Sequence, residues 1–336
     1  MRNLLEKFQR ILESRGFSGK HAKDAATVFA NNSLDGVYSH GVTASPGWWS
    51  IWIRERLIPP PLQPVNPPWE PLSGGTDTGG FGPLNAKLAH GRAVGAGKGG
   101  SRRWAWWPLG NNNHWDAGAA ATAGRQRTRM HRYLLVQHHA QHDLPGAEGQ
   151  KIGNNPFIMS IPRSNGKHAV IDCAVSQFLR KIEEAKLKGQ QLPVPGGYDT
   201  KGNLTTDPAE IEKTWRVLPM GYWKGSGISI ALDLIATVLT NGNSVSRIGT
   251  FGDEVGLSQI MIAIDPLRFN TPEETDSIVD EILPTSSPQS QSGKAGKCII
   301  RENWNSSPER PIQETEFRSL TRCGKRLTAL SAEAQS

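Results

Sequence analysis

A chain of 336 residues is long enough for one large or two medium domains with a substantial core. Its net charge of +7 admits a nucleic-acid partner, but the lysines and arginines gather in 92–132 and 294–326 without forming a recognisable binding module. No apolar run reaches the roughly 18 residues of a transmembrane helix, the first residues MRNLLEKFQRILESRG lack the apolar core of a signal peptide, and Cys173, Cys298 and Cys323 outline no disulfide framework, so a cytoplasmic protein is expected.

The first 44 residues carry clear patterns. Leu4, Leu5, Phe8, Ile11 and Leu12 make a helical stripe that Gly16 stops, and Ser18 caps a second helix carrying Ala22, Ala25, Val28 and Phe29. A turn, DGVYSHGV, follows. From about residue 45 to 150 the logic weakens: PPPLQPVNPPWEP is dense in proline, and GRAVGAGKGGSRRWAWW in glycine and arginine. Tryptophan clusters there (Trp48, Trp49, Trp52, Trp69, Trp104, Trp106, Trp107), and such clusters are hard to bury because each indole needs space and a partner for its N–H. Two islands stand out, GGFGPLNAKLAH as turn then helix and LGNNNHW as the end of a strand. Beyond residue 151 order returns. FIMSIP and HAVIDCAV read as strands, LPVPGGYDTKGNLTTDP as a long polar loop, and GYWKGSG as the entry to a helix whose Ile228, Leu232, Ile235 and Leu239 share a face. LSQIMIAID is the continuous apolar run of a strand covered on both faces. After Leu283 the pattern is lost again.

His40 in VYSHGV is the best acid–base candidate, since imidazole exchanges a proton near neutral pH. His114 sits among amides suited to a hydroxylated substrate, and equally suits a hydrogen-bonded strand end. The glycines of GYWKGSG, the helix start they open and Lys224 suit an anion such as a pyrophosphate, but no GxGxxG follows a strand, so Rossmann binding is unsupported. Asp172 lies at the carboxyl end of a strand, and Asp233 interrupts the apolar helix either as a buried partner or facing solvent. HRYLLVQHHAQHD brings His131, His138, His139 and His142 together, but their spacing fits no closed zinc pattern and no cysteine is near, so no metal site is expected.

Together VYSHGV, GGFGPLNA, LGNNNHW, IGNNPF, AVIDCAVSQF, GQQLPVPGGYDTKGNLT, LPMGYWKGSGISIALDLIATVL and DEVGLSQIMIAID resemble the type 2 malate/L-lactate dehydrogenase family. LPMGYWKGSG and LPVPGGYD with NLT resemble its 2,3-diketo-L-gulonate-reducing branch. The resemblance implies an α/β, non-Rossmann nicotinamide-binding fold with a large mixed sheet and flanking helices, assembled as a homodimer. It implies three stretches: 1–75, the helical part of a dimerisation and substrate domain; 76–265, the cofactor-binding sheet domain; and 266–336, a segment returning to the first. The implied reaction is NADH-dependent reduction of 2,3-diketo-L-gulonate to 3-keto-L-gulonate, with NADPH as the other cofactor and malate, L-lactate or ureidoglycolate dehydrogenation as the alternatives. By the same resemblance His40 donates the proton, His114 lines the substrate pocket, and His168, Ala169, Val170, Ile171, Asp172, Cys173, Ala174, Trp223 and Lys224 lie against the cofactor. No membrane and no specific nucleic-acid partner are expected.

Some family text is missing: a strand before NNNHW, an IGICWTN-like segment after it, a YPGE-like contact near the C-terminus, and an SYGK-like turn that reads LRK here. Codons for HRYLLVQHHAQHD, read one base later, give IGICWSNTMPNM. SRRWAWWPLG and CIIRENWNS, shifted and with suitable codons, can give IAAVGVVALG and HYPGELEL. The chain therefore reads as a translation containing several compensating frameshifts, with the tryptophan clusters and basic charge as by-products. Two expectations follow: out-of-phase segments that disrupt sheet strands and the cofactor pocket, giving an unstable protein, and, as a second functional reading, an inactive or non-specific nucleic-acid-binding product.

Overall fold

The computed structural model describes residues 2–14, 16–34, 75–76, 82–99, 103–115, 129–143, 149–165 and 168–285. His40, the tryptophans from Trp48 to Trp69, Cys298 and Cys323 lie outside them. In chain order the elements are α1 (Arg2–Ser14), α2 (Gly19–Leu34), β1 (Gly75–Thr76), α3 (Gly82–Gly99), β2 (Trp104–Asn112), β3 (His131–Val136), β4 (Ala140–Asp143), β5 (Gln150–Gly153), β6 (Phe157–Ile161) and β7 (Ala169–Cys173). They continue with α4 (Leu179–Leu187), β8 (Gly197–Tyr198), β9 (Leu204–Thr205), α5 (Pro208–Thr214), α6 (Trp223–Thr240), α7 (Val245–Ile248), β10 (Leu257–Ile264) and α8 (Pro272–Thr285).

The first two helices form where the spacing predicts them. Phe8, Ile11 and Leu12 of α1 bury against Ala22, Ala25, Ala26 and Phe29 of α2, with the Phe8 and Phe29 rings 5.6 Å apart. The turn between them needs a left-handed residue, and Gly16 supplies it at φ 89°.

Six strands form one mixed sheet in the order β1-β2-β10-β3-β6-β7, with β1 parallel to β2 and the other neighbours antiparallel. Helix α3 covers one face, where Ala86, Ala89, Ala93 and Val94 meet Leu109, Leu134, Val136 and Met261. Helix α6 covers the other, where Leu232 and Ala236 meet Leu135 and Ile260. Period-two alternation therefore sends Leu134 and Leu135 to opposite layers, and β10 is buried on both faces as its apolar run requires. A separate small core of Ile182, Ala185, Leu192, Ile211 and Val217 ties α4 and α5 to the two-residue hairpin β8–β9, which forms inside the stretch read as a polar loop.

One expectation is corrected. Residues 104–112 and 131–136, expected to disrupt sheet strands, build strands and lie inside the sheet. Alternation explains how: Trp107 packs toward α3 with the Arg92 guanidinium 4.9 Å above its ring, Trp106 packs toward α6, and Trp104 at the strand end stays 42 % exposed. Helix α6 meets the protein through a face of mostly small residues. Gly225, Ser226, Ser229, Leu232 and Ala236 are buried, while Ile228, Ile235 and Leu239 are exposed with Leu234 and Val238. Small residues win the inner face because the helix approaches closely enough for Ser229 Oγ to donate to the Gly153 carbonyl at 2.7 Å.

Candidate active site

Sheet topology decides which motifs meet. Strands β2 and β3 are both antiparallel to β10, and β3 and β7 are both antiparallel to β6, so the carboxyl ends of β2, β3 and β7 share one edge. His114 follows β2 at that edge, His138 and His139 follow β3, Cys173 closes β7, and Glu254 precedes β10.

His114 is 4 % exposed and is set by backbone packing. A side chain at Gly82, where α3 begins, would place its Cβ 2.0 Å from the His114 carbonyl oxygen, so only glycine permits this approach. Gln259 donates to the neighbouring Asn113 carbonyl at 2.7 Å, and Asn85 donates to Asn112 Oδ1 at 2.8 Å. The His114 ring lies 4.2 Å, centroid to centroid, from that of His138. His138 in turn contacts the Glu254 carboxylate, which also takes the His139 backbone N–H at 3.2 Å. Burial opposes the charge on Glu254, but His138, His139 and His114 outweigh it and hold the carboxyl well below its usual range. Burial likewise lowers the pKa of His139, and the hydrogen bond and charge of Glu254 reverse this to a net rise.

The strand AVIDCAV and the motif LPMGYWKGSG also meet. Val175 accepts the Met220 N–H at 2.8 Å, and Cys173 Sγ lies 3.8 Å from Met220 Sδ. The turn that follows is strained: Tyr222 has φ 54° and ψ −113°, unusual for a bulky residue, and Gly221 has φ 60°. It projects Trp223, 71 % exposed, with Lys224 Nζ 5.9 Å above the indole. On edge strand β7, Ile171 and Asp172 are exposed, Ala169 and Val170 are buried, and Cys173 and Ala174 are half-buried. Burial and the Asp172 charge push the Cys173 thiol pKa up. His168 begins this segment at the opposite edge, where its Nδ1 accepts the Arg163 N–H at 3.0 Å. The structure thus gathers Cys173, Ala174, Trp223 and Lys224 and leaves His168 apart from them.

Gly225 holds the turn against the strand, because a Cβ there would stand 2.3 Å from the Met220 carbonyl oxygen. Gly225→Ala is expected to destabilise the fold by about 1–3 kcal/mol, read as a lower urea midpoint. An unchanged midpoint would show that the turn shifts freely.

Several buried amides had gone unassigned. Asn155 Oδ1 accepts the His138 N–H at 2.9 Å while its Nδ2 donates to the Ser229 carbonyl at 2.9 Å, which pins His138 to α6. Asn154 Oδ1 accepts the Ser176 N–H at 2.8 Å. Gln137, fully buried, donates to Asp233 at 2.6 Å and Thr237 at 2.9 Å and accepts the Ser258 N–H at 2.8 Å, so Asp233 is a half-buried hydrogen-bond partner. The signal for the asparagines was the pair in IGNNPF; for Gln137 there was none.

Known proteins share this architecture. The sequence profile described as malate/L-lactate dehydrogenase matches residues 1–297. The 2,3-diketo-L-gulonate reductase of Escherichia coli O139:H28 is 37 % identical over 268 residues, covering 77 % of each chain. The Klebsiella pneumoniae protein of the same name is 36 % identical over 272 residues, covering 78 % of each. Among solved structures, a malate dehydrogenase from Entamoeba histolytica superposes with a TM-score of 0.83 at 15 % identity, covering 100 % of this chain and 97 % of its own. A sulfolactate dehydrogenase from Methanocaldococcus jannaschii gives 0.77 at 22 % identity, covering 97 % and 96 %.

Proposed function

The chain belongs to the malate/L-lactate dehydrogenase family, and from that premise we propose that it reduces 2,3-diketo-L-gulonate to 3-keto-L-gulonate with NADH. The family's enzymes act on hydroxy and keto acids with a nicotinamide cofactor, which supplies a hydride to the keto carbon when bound. The observation that carries the finer reading is the name shared by the relatives that are more than a third identical.

The residues present fit such a cofactor in part. Exposed Trp223 and Ile171 offer apolar surface for a ring, and Lys224 at the start of α6 offers positive charge for a pyrophosphate. The contact between Cys173 and Met220 keeps the two motifs side by side. In this reading His114 lines the substrate pocket and His40 protonates the carbonyl oxygen. A homodimer would cover Leu234 and Val238, 59 % and 72 % exposed on the outer face of α6.

A substrate panel tests the proposal. With NADH, kcat/KM for diketogulonate is expected to exceed that for the keto acids corresponding to malate, L-lactate and ureidoglycolate by roughly tenfold or more. A preference for one of those acids would replace the substrate. No turnover with NADH or NADPH, together with salt-sensitive RNA binding, would favour the inactive basic product.

A further inference from the structure

The pair His138–His139 meets Glu254, 115 positions after His139, and spacing along the chain gives no hint of the meeting. His139 Nδ1 lies 3.2 Å from Glu254 Oε1, His138 Nδ1 contacts the same oxygen, and the three donor atoms lie within 4.8 Å of one another. The His138 and Glu254 side chains are only 11 % and 10 % exposed and His139 borders solvent, so this is a formed, largely buried cluster with one open side rather than a surface charge patch. Two imidazole nitrogens and a carboxylate oxygen are a donor set used for zinc, with a fourth position left open. Donor atoms on a tetrahedral zinc ion stand roughly 3.3 Å apart given bonds near 2.05 Å, so His139 and Glu254 already match, and His138 must only draw back slightly from the carboxylate.

We propose that His138, His139 and Glu254 bind a divalent transition-metal ion, with zinc as the best fit, through the two Nδ1 atoms and a carboxylate oxygen. The surroundings prepare the ligands. Asn155 fixes the His138 backbone, and the Glu254 carboxylate is fixed by the His139 N–H. The ion would clip the segment after β3 to the turn before β10, next to the His114 ring. The site does not depend on the chain being a keto-acid reductase. It belongs to the out-of-phase text: the shifted reading IGICWSNTMPNM puts threonine and methionine where His138 and His139 stand.

The test uses the full chain, stripped with EDTA and titrated with Zn2+ against a chromophoric chelator, then with Co2+ to read the visible bands of a four-coordinate site. One equivalent of zinc is expected to bind, and His139→Gln and Glu254→Gln should each weaken it roughly 100-fold or more. The His139 side chain is 41 % exposed, so its variant is the one suited to keeping the fold, and far-UV circular dichroism checks this. His131→Gln, outside the cluster, should bind as the parent does. Zinc binding no tighter than that of a surface histidine, or tight binding unchanged in both ligand variants, would overturn the site.

Discussion

His40→Ala is expected to lower kcat for keto-acid reduction roughly 10²–10⁴-fold while leaving NADH affinity within a few-fold of the parent. As the keto carbon is reduced, negative charge grows on its oxygen, and an unprotonated alkoxide is a poor product in water. A positioned imidazolium removes that charge as it forms, and histidine is the side chain whose ordinary pKa leaves it usefully protonated near neutrality. The parent's kcat should therefore fall as pH rises through the His40 pKa, and the variant's residual rate should lack that step. His114 is the competing candidate, because it lies at the same end of the sheet with its ring against that of His138. The two roles separate by kinetics: loss of a pocket residue that binds substrate raises KM, whereas loss of the proton donor lowers kcat. Retained turnover in His40→Ala, or a pH step that survives it, would reject the assignment.

How much could be read in advance depended on where the deciding contacts lay. Helices α1 and α2, strands β6, β7 and β10, and the existence of α6 were legible because burial imposes a period on sequence. The shared face of Ile228, Leu232, Ile235 and Leu239 did not reveal which side of α6 packs inward, because close approach selects Gly225 against the Met220 carbonyl and Ser229 against that of Gly153. Strands β2 and β3 were expected to be disrupted, since WAWW and HRYLLV carry arginine and tryptophan in place of plain aliphatics. They form strands all the same, because β10 offers a fully buried partner on both sides and alternation still puts Leu109, Leu134 and Leu135 into the cores. In the candidate site, GGFGPLNA, LGNNNHW and LPMGYWKGSG announced local turns and helix starts. Glu254 could not be found from sequence, because its role exists only after β10 has paired with β3.

The same pairing leaves one residue as the main conflict between sequence and fold, and Arg132→Met is expected to raise the free energy of unfolding by about 2–3 kcal/mol. Arg132 is fully buried in β3, opposite Ala263 on one side and Ser160 on the other. Its guanidinium donates to Ser160 Oγ at 2.8 Å, a neutral acceptor. Burial brings its pKa down from the usual guanidinium range to about 10, which at about 1.4 kcal/mol per tenfold change is a penalty of about 3 kcal/mol on the charged form. Methionine keeps the aliphatic stem and removes the charge; the Ser160 hydroxyl loses a donor, which offsets about 1 kcal/mol. The sign with pH follows from the depressed value. The penalty is fully present below pH 10 and is relieved as pH rises through the folded-state pKa of about 10 toward the ordinary guanidinium range, where the unfolded chain also deprotonates. Urea unfolding at pH 7 should thus favour the variant, and the gap should narrow above pH 10. A variant less stable than the parent at pH 7 would show that the guanidinium contributes net stability to β3. The shifted reading of this segment has glycine at the position, and the cost of the buried charge falls on the central strand that positions His138 and His139.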